Sequence, residues 1–147
     1  MAQPMIQQSP DQEPGTPLKG SLHLPLVLIV EDDAGVRDCL QMLLQDELPN
    51  LRTCTVATFR EAERAATVLH PDLLICDIRL PDGDGRTLLA RLRRRRGLAN
   101  IPAILLTVLD VDDPALREDA AALRAHLIAK PFEITTLLDE VLDALIT

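Results

Sequence analysis

Short apolar runs alternate along this chain with longer stretches of helical spacing, and that alternation leaves few folds open. Leu26–Val30 and Leu73–Cys76 are apolar throughout, and Ile101–Val108, opened by Pro102 and ending on Thr107, is a strand of the same buried type. Strands apolar on both sides belong in a parallel sheet with both faces covered. Leu51–Ala57, rich in β-branched residues, and the short His126–Ala129 supply two further strands.

Each strand is followed by a helix. Val36, Leu40, Leu43 and Leu44 share one face of the first, with Asp33 as its N-cap and Pro49-Asn50 closing it. The second runs from about Arg60 to His70, capped by Thr58, with Phe59, Ala62, Ala66 and Leu69 inward. Leu88, Leu89 and Leu92 mark the third. Its last turn holds Arg91 and Arg93 to Arg96, cations that complement the helix dipole, and Gly97 ends it; a docking patch is the alternative reading. Asp113-Pro114 opens a fourth helix to about Leu123. Ile134, Leu137, Leu138, Val141, Leu142 and Leu145 form the inward stripe of the fifth.

Five strand-helix units imply one α/β domain: a doubly wound, five-stranded parallel sheet with right-handed crossovers and helices on both faces, over residues 25–147. Residues 1–24, rich in Gln and Pro and without periodicity, read as a disordered extension.

Composition excludes several function classes. A formal net charge of -8 opposes binding to a phosphate backbone, so no direct nucleic-acid contact is expected. No apolar segment approaches the ~20 residues that span a bilayer, which points to a cytoplasmic protein without membrane contact. Cys39, Cys54 and Cys76 are widely spaced and lie in apolar runs, as reduced core thiols would.

Four of the five strands end on a polar group. Glu31 and Asp32 follow the first, Asp77 the third, Thr107 the fourth and Lys130 the fifth. In a parallel sheet these ends share one edge, where α/β proteins bind ligands. Three clustered carboxylates repel one another unless a cation joins them. Oxygen-only ligands favour Mg²⁺ or a similar hard ion, and Lys130 and Thr107 are donors suited to phosphoryl oxygens. Asp77 is then placed to attack phosphorus.

The motifs VLIVEDD, LLICDIRLPDGDG around Asp77, AILLT ending at Thr107 and AKPF at Lys130 closely resemble a response-regulator receiver domain of bacterial two-component signalling, a flavodoxin-like fold. The resemblance implies that Asp77 accepts phosphate from a histidine kinase or phosphotransfer protein. It implies that Glu31, Asp32, Asp77 and the backbone carbonyl of Arg79 hold Mg²⁺, that Thr107 is the switch hydroxyl and Lys130 the phosphate partner, and that Lys130-Pro131 is cis. It also implies a downstream protein target, and pairing of two copies through the fourth or fifth helix.

Two positions depart from the family. Leu127 stands where an aromatic ring is usual, and Val108 where a small residue is usual, which implies altered switching and slower access of phosphodonors. The glycine often found before the fifth strand is also missing. The leading reading is a single-domain regulator acting by phosphorylation-dependent protein contact or phosphorelay. A fragment of a larger regulator or hybrid kinase, and a weakly switching docking module, are the alternatives. An aspartyl-phosphate hydrolase fits less well, because it needs a second aspartate two residues after the nucleophile, where this chain has Arg79.

Overall fold

The computed structural model describes residues 24–146. The elements run β1 (Leu26–Val30), α1 (Ala34–Glu47), β2 (Arg52–Val56), α2 (Phe59–Leu69), β3 (Leu73–Asp77), β4 (Arg79–Leu80), β5 (Gly83–Asp84), α3 (Gly85–Arg93), β6 (Ala103–Thr107), α4 (Pro114–Ala122), β7 (Ala125–Ala129) and α5 (Ile134–Ile146). The expected disordered extension lies outside the described residues apart from Leu24, whose carbonyl accepts from Arg52 Nε at 3.0 Å.

The sheet is parallel in the order β2-β1-β3-β6-β7. From β1 the chain first steps to β2 on one side, then crosses to β3 on the other. That reversal opens a crevice at the carboxyl ends of β1 and β3.

Alternation along the strands builds the two core layers. Leu28, Val30, Leu74, Cys76 and Leu105 face α2, α3 and α4, meeting Ala62, Ala66, Leu88, Leu92 and Leu116. Val27, Ile29, Ile75, Ile104 and Leu106 face α1 and α5, meeting Leu40, Leu44, Leu137 and Val141. Every side chain of β1, β3 and β6 is buried, as strands covered on both faces require.

Caps close the helices where the sequence places them. Asp33 accepts from Val36 N–H, Thr58 from Glu61 N–H and Asp113 from Leu116 N–H. Each satisfies one of the otherwise unpaired donors of a first turn.

Three expectations are corrected, and one short element is added. The third helix stops at Arg93, so Arg94, Arg95 and Arg96 lie beyond it and Gly97, at φ +84°, follows rather than ends it. The amides of Arg94 and Arg95 close tight turns on Arg91 and Leu92, returning Leu98 and Ile101 to the core. Cys39 is exposed on α1, because it falls off the stripe of Val36, Leu40 and Leu44; Cys54 and Cys76 are buried. On α5, Ile134 and Leu142 are exposed, and the buried stripe is Leu137, Val141 and Ala144. Finally, β4 and β5 form a two-residue antiparallel pair inside the turn after Asp77, too short to carry a strand pattern.

Candidate functional site

The crevice at the ends of β1 and β3 collects the expected residues. Glu31, Asp32 and Asp77 each offer a carboxylate oxygen, and these oxygens lie within 4.8 Å of one another. Lys130, just past β7, reaches across the sheet: its Nζ donates to Glu31 Oε1 at 2.5 Å and to Asp77 Oδ2 at 2.7 Å. Thr107 ends β6 with its hydroxyl buried, and its carbonyl accepts from Lys130 N–H at 2.8 Å. The Lys130-Pro131 peptide is cis.

Each carboxylate is held differently. Glu31 is 1 % exposed, and its second oxygen accepts from Asp33 N–H at 3.1 Å. Asp77 Oδ1 accepts from Arg79 N–H at 3.2 Å, so Arg79 meets the site through its backbone amide. Asp32 is exposed, and no hydrogen bond to its carboxylate is made among the described residues. Thr107 Oγ1 accepts from Leu109 N–H at 2.9 Å, which leaves the hydroxyl proton available to donate.

Electrostatics follow from crowding. Burial, reinforced by the charge of Asp77, pushes the Glu31 carboxyl above its ordinary range although Lys130 opposes the shift. Burial works against the Lys130 ammonium, but the hydrogen bonds it donates to Asp77 and Glu31 outweigh burial and raise its pKa. One lysine therefore leaves the cluster with surplus negative charge. An all-oxygen donor set with surplus charge, and one carboxylate without a protein partner, fits a hard divalent cation such as Mg²⁺.

The turn after Asp77 is held by contacts that sequence periodicity does not reveal. Gly85 N–H donates to Ile78 O at 2.7 Å, and a Cβ on Gly85 would overlap the Asp77 carbonyl oxygen, so only glycine fits. Asp84 caps α3 and pairs with Arg86 at 2.8 Å, whose guanidinium holds the Asp84 carboxyl below its ordinary range. Asp82 accepts from Phe59 and Arg60 N–H at 2.7 and 3.1 Å, tying the turn to the start of α2. Nothing in the sequence signals that pairing across 22 residues.

The two departures are placed as follows. Val108, immediately after β6, is 67 % exposed. Leu127 in β7 is half-buried and packs against the layer beneath α2, α3 and α4.

Residues 27–142 match the family described as the response regulator receiver domain. The chain is 31% identical over 119 residues to the DNA-binding dual master transcriptional regulator RpaA of Synechocystis, an alignment covering 80% of this chain and 48% of that protein. The chain therefore spans about half the length of that relative. A putative response regulator from Chloroflexus aurantiacus superposes with a TM-score of 0.75 at 30% identity, covering 85% of this chain and 100% of that one. Chemotaxis response regulator CheY4 of Vibrio cholerae superposes with a TM-score of 0.74 at 26% identity, covering 83% and 99%. The chain belongs to the response regulator receiver domain family and has its flavodoxin-like fold.

Proposed function

We propose that Asp77 is a Mg²⁺-dependent phosphoacceptor, charged by the phosphohistidine of a histidine kinase or phosphotransfer protein, and that output is a phosphorylation-dependent protein contact or onward relay. The observation that carries this reading is the Lys130 ammonium held between Glu31 and Asp77 beside the buried Thr107 hydroxyl. An Asp77 carboxylate oxygen forms the new P–O bond as the P–N bond of phosphohistidine breaks, and the imidazole leaves with the electron pair. Lys130 offers positive charge to the phosphoryl oxygens, and Thr107 offers a hydroxyl proton. A divalent cation held by Glu31, Asp32 and Asp77 supplies charge neutralisation to the transferring group.

On this reading the chain signals rather than turning over a substrate, and its contacts are with proteins, including a second copy across α4 or α5. Val108 narrows the approach of small phosphodonors, and Leu127 leaves the switch without an aromatic ring. Incubation with a radiolabelled phosphorylated kinase and Mg²⁺ tests the reading: the label should be acid-stable, hydroxylamine-labile and absent from Asp77→Asn or after chelation. With acetyl phosphate as donor, Val108→Ala should label faster; equal rates remove the role given to Val108.

A further inference from the structure

The outer surface of α2, α3 and the turn that follows α3 is positive in a chain whose formal net charge is -8. Arg60, Arg64, Arg91, Arg94, Arg95 and Arg96 are all exposed there. Asp82 sits at the start of α2, bound to the Phe59 and Arg60 amides; within α2, α3 and the turn to Gly97 the only acids are Glu61 and Glu63. Both are committed. Glu61 folds back on its helix start, accepting from Ala57 N–H at 3.0 Å and from the Thr58 hydroxyl at 3.3 Å. Glu63 is shared between Arg91 at 3.1 Å and Arg95 at 3.4 Å.

The fold accounts for several of these cations but not for Arg94 and Arg96. A helix dipole acts within the last turn, so it covers Arg91 and Arg93 but not the residues past the end of α3. Arg93 is a structural clamp, donating to the carbonyls of Ile101, Leu123 and Arg124. Arg91 lies over the Phe59 ring, 5.4 Å from its centroid. Arg94 and Arg96 have no carboxylate partner among the described residues. Like charges gathered this way repel, and a carboxylate-rich partner removes that repulsion.

We propose that the α2–α3 face is a docking surface for an acidic protein segment, whose Asp and Glu side chains pair with these arginines. Guanidinium groups match carboxylates in two-pronged geometry, and Val68, 76 % exposed one turn beyond Arg64, adds an apolar foothold. Single-stranded nucleic acid fits poorly, since the face has no exposed aromatic ring for base stacking. Glu63 amid the arginines and the chain's negative charge oppose a phosphate backbone. One valine is too little apolar surface to enter a bilayer interface.

The test is fluorescence anisotropy with a labelled oligoglutamate peptide, alongside duplex DNA and phosphatidylserine vesicles at the same salt. The natural chain should bind the peptide at low salt and release it at high salt. The combined variant Arg60→Glu, Arg94→Glu, Arg96→Glu should weaken binding about tenfold or more, each exposed pair being weak alone. The neutral version with Gln at the same three positions should fall between, and Arg117→Glu on α4 should bind as the natural chain does. Circular dichroism should find all variants folded, because none of these side chains is buried. Absent peptide binding, equal binding by the charge-reversed variant, or tighter binding to DNA or vesicles would each overturn the proposal.

Discussion

Lys130 Nζ lies 2.7 Å from Asp77 Oδ2, a contact made across 53 residues of sequence. The same ammonium holds Glu31, so removing it leaves two carboxylates side by side with little solvent. Lys130→Ala should lower stability in the absence of divalent cations by about 3 kcal/mol, read from urea unfolding. Adding Asp77→Asn should recover part of that loss, since it removes the repulsion; purely additive effects would contradict the coupling.

Asp32 contributes to the cluster, and among the described residues none hydrogen-bonds its carboxylate. Asp32→Asn should therefore change cation-free stability by no more than about 0.5 kcal/mol. Bound Mg²⁺ at a hundred times its dissociation constant should stabilise the natural chain by about 2.7 kcal/mol. Thermal unfolding should find that gain largely absent from Asp32→Asn. An equal Mg²⁺ response in both would remove Asp32 from the ligand set.

Glu31 gives the site a pH signature. Its folded pKa is raised, by burial first and by Asp77 second. The native state therefore keeps this proton longer than the unfolded chain does. The stabilisation is complete below the ordinary value of 4.5 and is lost as pH rises through the folded value. Glu31→Gln carries no such loss. Its stability relative to the natural chain, without divalent cations, should improve as pH rises from 4.5 toward neutrality. A pH-independent difference between the two would contradict the raised pKa.

Arg124 occupies the position before β7 at φ +51°, a left-handed conformation that costs a residue with a Cβ about 1–2 kcal/mol. Glycine relieves that strain but costs about 0.5–1 kcal/mol in unfolded-chain entropy. Arg124→Gly should gain up to about 1 kcal/mol in urea unfolding, and Arg124→Ala should gain nothing. Equal effects from both substitutions would mean that the backbone angle is not what matters there.

The strand ends were legible because a parallel sheet brings to one edge whatever residue follows each buried run, so Glu31, Asp77, Thr107 and Lys130 could be placed from hydrophobic pattern alone. The Lys130-Pro131 cis peptide came instead from the family motif. What the pattern missed depends on contacts between distant segments. Arg91 to Arg96 read as one helical turn, but the need to bury Leu98 and Ile101 ends α3 at Arg93. The role of Asp82 at the start of α2 exists only once the turn after Asp77 meets Phe59. Cys39 was readable in principle, since helical spacing from Leu40 and Leu44 already turns it outward.

The most direct measurement is to phosphorylate the chain with Mg²⁺ and a phosphohistidine donor, reduce it with borohydride and sequence the peptides by mass spectrometry. An acyl phosphate on Asp77 is converted to homoserine, so homoserine should be found at position 77 and at no other acid. Homoserine at Asp32 or elsewhere, or stoichiometric transfer with position 77 unmodified, would contradict the account.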